Sequence, residues 1–261
     1  MIDWGSWRNE PALVSGLVLL GWLYALGSGP LRPRLAPGEP FERGKAISFY
    51  SGLAVLFVAL ASPLDWIGRY FLLAAHTVQQ LLLIFPAPVL LLSGLSAWMV
   101  DPALAGSRRH HVLRWLFHPV VCSTLFVLVV SAGYLPRVLE PTLRNANYHQ
   151  IQHAGTLGVA LLFWWQVVNP SRLYPPLGHG GKMLYLAAVE IALTGVFTYV
   201  LMADHSMIPA YEDAPRLLAG LDATEDQRLA GVLLGAVSSL VLVGALGVTF
   251  FRWAKADEHR S

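Results

Sequence analysis

The chain has 261 residues, 55% hydrophobic and 13% charged, with a mean hydropathy of +0.53. That balance is the one expected of a polytopic membrane protein rather than a water-soluble domain. A formal net charge of +2 and no basic tract longer than Arg108-Arg109 argue against a nucleic-acid partner, and the lone Cys122 excludes an intrachain disulfide or a Cys-x-x-Cys motif.

A membrane crossing needs about 20 mostly apolar residues. Seven segments meet this, at about 12–29, 45–63, 70–94, 118–135, 149–168, 182–203 and 229–253. The sequence therefore predicts an all-α, single-domain integral bundle of seven transmembrane helices. The segment before Pro11 lacks a basic region ahead of an apolar core, so the first helix is expected to be retained rather than cleaved. Pro11 and Gly29-Pro30 bracket this helix, and Gly44 and Ser62-Pro63 bracket the second. Pro86 and Pro88 should bend the third and free carbonyls that neighbours must satisfy. Trp66, Trp98, Trp115, Trp164, Trp165 and Trp253 fall near predicted ends, where an interfacial belt would place them. Lys and Arg divide between the two sets of connections as roughly six against twelve, which puts the N-terminus outside and the C-terminus in the cytoplasm.

The fifth segment opens with His149 and His153, one turn apart and on one face, with Gln152 beside them. On the predicted orientation His76, His149, His153 and His205 fall in one outer layer, contributed by three helices. His110, His111, His118, His179 and His259 fall on the cytoplasmic side, and read as loop and interface residues. Imidazole suits copper, zinc, nickel and iron, and an i, i+4 pair can offer two nitrogens to one ion. The predicted metal site is therefore His76, His149, His153 and His205, with Gln79, Gln80, Gln152, Asp204 and Met207 in support. Thioethers at Met202 and Met207 would favour Cu(I), although methionines here also read as packing residues. The same histidines can instead hold helices together by hydrogen bonds.

Glu190 is the carboxylate deepest in any span, where a proton relay and an interhelical hydrogen bond are both open readings. Asp65 and Arg69, just beyond the second helix, read as a rim ion pair, and Cys122 as a small buried hydrophobe. No nucleotide-binding glycine loop, G-x-S-x-G, H-E-x-x-H or haem-attachment motif occurs, so an enzyme is not expected.

Several stretches together carry a resemblance: His76-Thr77-Val78-Gln79-Gln80 with Pro86-Ala87-Pro88, His149-x-x-Gln152-His153 with Phe163-Trp164-Trp165, Arg172-Leu173-Tyr174-Pro175, and Glu225-Asp226-Gln227-Arg228 ahead of Gly231. The chain resembles the CtaG family of seven-helix cytochrome c oxidase assembly proteins, from the second helix to the seventh. The resemblance implies a multi-pass protein of a bacterial plasma membrane that matures a haem–copper oxidase by handling copper. Its partners would be an oxidase subunit, membrane lipid and an external copper donor. Two departures stand out. Gln80 occupies a position where the family pattern has a second histidine, and the seventh helix after Gly231 lacks the expected methionine and tryptophan.

Three functions follow as expectations. The first is a copper-binding assembly factor. The second is a metal-free scaffold that presents the Gly231–Gly235 and Gly244–Gly247 faces to an oxidase subunit. The third is a copper or proton transporter built on Glu190 and the kinked third helix.

Overall fold

The computed structural model describes residues 11–174 and 176–258, with only the backbone given for 107–111. Among the described residues all regular structure is helical. The first half of the chain contains α1 (Pro11–Ser28), α2 (Arg32–Leu35), α3 (Arg43–Ala61), α4 (Pro63–Tyr70), α5 (Leu73–Ile84), α6 (Pro86–Ser93) and α7 (Ala97–Leu104). The second contains α8 (Ser107–Leu116), α9 (Pro119–Ala132), α10 (Pro136–Arg144), α11 (Ala146–Val168), α12 (His179–Met202), α13 (Pro209–Glu212) and α14 (Ala223–Glu258).

Each predicted segment coincides with one of these helices or, for 70–94, with the pair α5 and α6. By length and apolarity five are able to cross a membrane: α1, α3, the continuous stretch Leu73–Ser93, α12 and α14. The pair α9 and α10 adds at most a sixth, bent by 68° at its break. Helix α11 runs for 23 residues but stands outside that set, because Asn147, His149, Gln150, Gln152 and His153 make its first turns polar.

Local chemistry sets the breaks. Ser62 leaves α3 in an extended conformation and its Oγ accepts from the Leu64 amide at 3.2 Å, while Pro63 sits where a missing N–H costs nothing. Asn145 does the same for α11, accepting from the Asn147 and Tyr148 amides at 2.9 and 3.3 Å. At the α5–α6 break Pro88 has no N–H for the Ile84 carbonyl four residues back, and Trp164 Nε1 donates to that carbonyl at 2.7 Å instead.

Trp164 and Trp165 are accordingly buried, at 3% and 9% exposure, and do not belong to an interfacial belt. Trp165 lies 4.6 Å from the Phe117 ring. Trp115 and Trp253 are the exposed members. Helices α12 and α14 pack closely enough that a Cβ on Gly231 would stand 2.8 Å from the Leu201 backbone, and one on Gly235 3.2 Å from the Phe197 ring. Those two glycines thus serve an internal contact rather than a partner surface, whereas a Cβ at Gly244 or Gly247 would meet nothing within 4 Å.

Candidate metal centre

His76 lies in the first turn of α5, and His149 and His153 in the first two turns of α11. Their exposures are 0%, 3% and 5%. One nitrogen from each lies within 4.8 Å of those from the other two. The His149 and His153 rings meet edge to face at 4.2 Å between centroids, and His76 stands 5.9 and 6.2 Å from them. Each ring keeps one buried nitrogen with no hydrogen-bond partner: His76 Nδ1, His149 Nδ1 and His153 Nε2. An unmet buried polar atom costs about 1–3 kcal/mol, so three in one cluster point to a ligand.

Two of the other ring nitrogens, on His149 and His76, have neighbours outside the cluster. His149 Nε2 donates to Asp65 Oδ1 at 3.1 Å, which leaves Nδ1 with the free lone pair. Gln79 Nε2 donates to the same Asp65 oxygen at 2.8 Å and to the Ala59 carbonyl at 2.9 Å. Burial alone would raise the Asp65 carboxyl, but the hydrogen bonds from His149 and then Gln79 outweigh it and hold the group at about 2. Asp65 is thus an anion beside the cluster. Gln80 Nε2 lies 3.4 Å from His76 Nε2.

The helix starts that carry these rings are fixed from a distance. The Asp226 carboxylate, on α14, accepts from the Leu73 and Ala74 amides at 2.6 and 3.1 Å and so caps α5 across the bundle. Gly68 lets α4 lie against the start of α5: a Cβ there would be 2.8 Å from the His76 backbone nitrogen. Tyr211 Oη donates to the Gly68 carbonyl at 2.6 Å, its phenol kept protonated by burial, and the neighbouring Asp226 charge acts in the same direction.

Several predicted residues lie elsewhere. His205 and Asp204 are exposed, and His205 is not in the cluster. The reason is Gln227, whose Oε1 accepts from the Met207 amide at 2.8 Å and whose Nε2 donates to the Val200 and His205 carbonyls at 3.3 Å, drawing the backbone rather than the imidazole inward. Met207 packs at the edge of the main core, and Met202 is 64% exposed. Gln152 turns toward the α9–α10 junction, its Nε2 standing 3.1 Å from the place a Cβ on Gly133 would take. Glu190 bridges α12 and α14 by accepting from the Ser239 hydroxyl, and its Oε2 is buried without a partner.

His118 and His179 are exposed; the side chains of His110 and His111, and all of Pro175 and His259, fall outside the described residues. Asp65 and Arg69 serve separate roles: Arg69 Nε donates to the Leu143 carbonyl at 2.9 Å. Asp65 and Asp226 are the residues whose part at the centre the sequence did not disclose. The i, i+4 spacing of Asp65 to Arg69 pointed to the wrong partner. Asp226, inside the Glu225-Asp226-Gln227-Arg228 stretch, could have been found only through that motif.

Residues 22–256 match the model of the family described as cytochrome c oxidase caa3 assembly factor (Caa3_CtaG). No curated protein and no solved structure gives a significant match.

Proposed function

The chain belongs to the cytochrome c oxidase caa3 assembly factor family, and on that premise we propose that it binds copper through His76, His149 and His153 and passes it to an oxidase subunit. The observation that carries this reading is the convergence, within 4.8 Å, of three buried imidazoles that each retain an unpartnered nitrogen. Three nitrogen donors suit copper, and they leave room for a further donor from a recipient. Ligand nitrogens about 2.0–2.1 Å from a bound ion stand roughly 3.4 Å apart, so loading asks for a modest inward turn of the rings.

The charge balance favours the monovalent ion. With the imidazoles as neutral ligands, the Asp65 carboxylate and the neighbouring Arg69 guanidinium cancel, so a monovalent ion adds the smallest net charge to a poorly solvated site. Asp65 also fixes the tautomer of His149 and raises its basicity. Selection of Cu(I) then rests on imidazole and charge, since Met207 packs with the core and not with the cluster.

The wider reading is a non-enzymatic, multi-pass protein of a bacterial plasma membrane with seven crossings, α11 included. The Lys and Arg distribution supports an external N-terminus and a cytoplasmic C-terminus, with the histidines near the external face. Copper would reach them from an external donor and leave by ligand exchange.

The test is a Cu(I) titration and metal analysis of the detergent-purified protein beside its His149→Ala/His153→Ala variant. Stoichiometric binding that the variant loses is expected. Metal content unchanged in the variant refutes the site, and binding by neither protein selects the metal-free scaffold.

A further inference from the structure

A cavity of about 560 Å³ runs between α1, α3 and α11 and reaches the histidine cluster from the side. Its walls are leucines and small residues, Gly16 and Leu17 on α1, Leu56 on α3 and Leu157 on α11 among them, and only its inner end is polar, where Asp65, Arg69, His149, Gln150 and His153 line it. On the opposite side the described residues close over the cluster. Helix α4 lies against the start of α5, Tyr211 seals that contact, and the Ala210 amide ties the 203–222 connection to Glu140 on α10 at 3.0 Å.

Water finds few partners along most of its length, where the walls are apolar. Both facing helices present small residues to it, Ala12 and Gly16 on α1 among them. Helix α1 is tied to the α3 side, through Tyr50 Oη to the Gly21 carbonyl and Tyr24 Oη to the Gly94 carbonyl, both at 2.9 Å. On α11 the small lining residues are Ala146 and Ala154, and across the cavity a Cβ added at Gly16 would meet nothing within 4 Å.

We propose that this lateral cleft is where a membrane-embedded helix of the recipient oxidase subunit docks, bringing one of its own metal-ligating side chains alongside His149 and His153. The proposal rests on the copper-transfer reading. Ligand exchange requires the recipient's donor to approach the ion, and the cleft is lined at its inner end by His149 and His153 themselves. Small residues on both walls allow a helix backbone to come close, which is how helices associate in lipid, where leucine gains nothing by leaving the acyl chains. A lipid tail would match the leucines but brings no donor to the unpartnered His149 Nδ1 and His153 Nε2. A transmembrane helix with an apolar face and a single histidine, cysteine, methionine or carboxylate at that depth matches both ends of the cleft.

The experiment places a photo-crosslinking benzoylphenylalanine at Leu17, Leu157 or, for comparison, Leu240, which is 75% exposed on α14, in full-length protein in membranes assembling the oxidase. Adducts to one transmembrane segment of an oxidase subunit, mapped by mass spectrometry and at least tenfold stronger at 17 and 157 than at 240, are expected. Adducts to phospholipid alone, or equal yields at all three positions, overturn the proposal. A second variant, Gly16→Trp, fills the cleft: it should keep the copper content of the purified wild type while oxidase maturation falls at least tenfold. Loss of copper from Gly16→Trp, or unimpaired maturation, counts against docking. Should the wild type bind no copper, the transfer reading fails on that result, while the cross-link map still decides whether the helix docks.

Discussion

Asp226→Ala removes the cap that α14 provides for α5. In the wild type the carboxylate takes two amide hydrogens, Leu73 at 2.6 Å and Ala74 at 3.1 Å, at a site where Asp226 is 1% exposed and the two recipients 2% and 6%. Alanine leaves both amides without an acceptor. An exposed cap is worth about 0.5–2 kcal/mol, and each abandoned buried donor costs about 1–3 kcal/mol. A loss of about 3 kcal/mol is therefore expected, roughly 6–12 °C in Tm at ~2–4 °C per kcal/mol for chains near this size. The single buried thiol, Cys122, makes the assay simple: a thiol-reactive dye reports its exposure as the protein unfolds in detergent.

Asp222 supplies the internal comparison. It caps α14 locally, accepting from the Thr224 and Glu225 amides at 2.8 Å, and it is exposed. Asp222→Ala should lower Tm by a third or less of the Asp226→Ala shift, and Asp226→Asn, which keeps one acceptor oxygen, should fall between the two. If Asp226→Ala costs no more than Asp222→Ala, the cross-bundle cap is not what holds the start of α5.

The Trp164 bond to the Ile84 carbonyl and the missing Pro88 amide form a linked pair. Trp164→Phe should cost about 1–3 kcal/mol for the unmet carbonyl beyond its packing loss, and Pro88→Ala, which restores an N–H four residues on, should reduce that cost in the double variant; strict additivity of the two Tm shifts would reject the link. Asp65 predicts a pH dependence. Its folded value of about 2 lies below the ordinary 3.8, so its stabilisation is fully present above about pH 4 and is lost as pH falls toward 2. From ~1.36 kcal/mol per unit the amount is about 2 kcal/mol. The Tm gap between wild type and Asp65→Asn should narrow between pH 5 and pH 3, and a gap that widens on acidification would contradict the sign.

The helices were legible because apolar length and Gly-Pro punctuation survive in any sequence that must fill a bilayer. Two of the three clustered histidines followed from the spacing of His149 and His153, and His76 followed from depth. Depth alone also admitted His205, and there it failed: hydropathy reports how far along a helix a residue sits but not which way it faces, since lipid and core are both apolar and leave no moment to read. What turned His205 outward was Gln227 gripping the neighbouring backbone, an interaction between distant segments that no local pattern encodes. Asp65 was misassigned for a related reason. Arg69 is one turn away in sequence, but the acceptors and donors that satisfy the pair come from α5, α10 and α11.

The supports of the centre are distributed unevenly, and this bears on how it would release an ion. Asp226 holds the start of α5, Gly68 and Tyr211 press α4 against His76, and Asp65 with Gln79 orients His149, so the side formed by α4, α5 and α14 is fixed by buried hydrogen bonds. The side facing the cleft is lined, among the described residues, mainly by leucines, alanines and Gly16. Gln80 fits the same logic. It sits buried, 3.4 Å from His76 Nε2, at the position where the resemblance led us to expect histidine. A fourth imidazole there would move the centre toward the closed, four-ligand arrangement typical of structural sites, whereas three protein ligands leave the open position that exchange requires. On the proposed reading, glutamine at this point does not impair the centre. It preserves the open position through which a recipient's side chain displaces the histidines one at a time, from the side of the cleft.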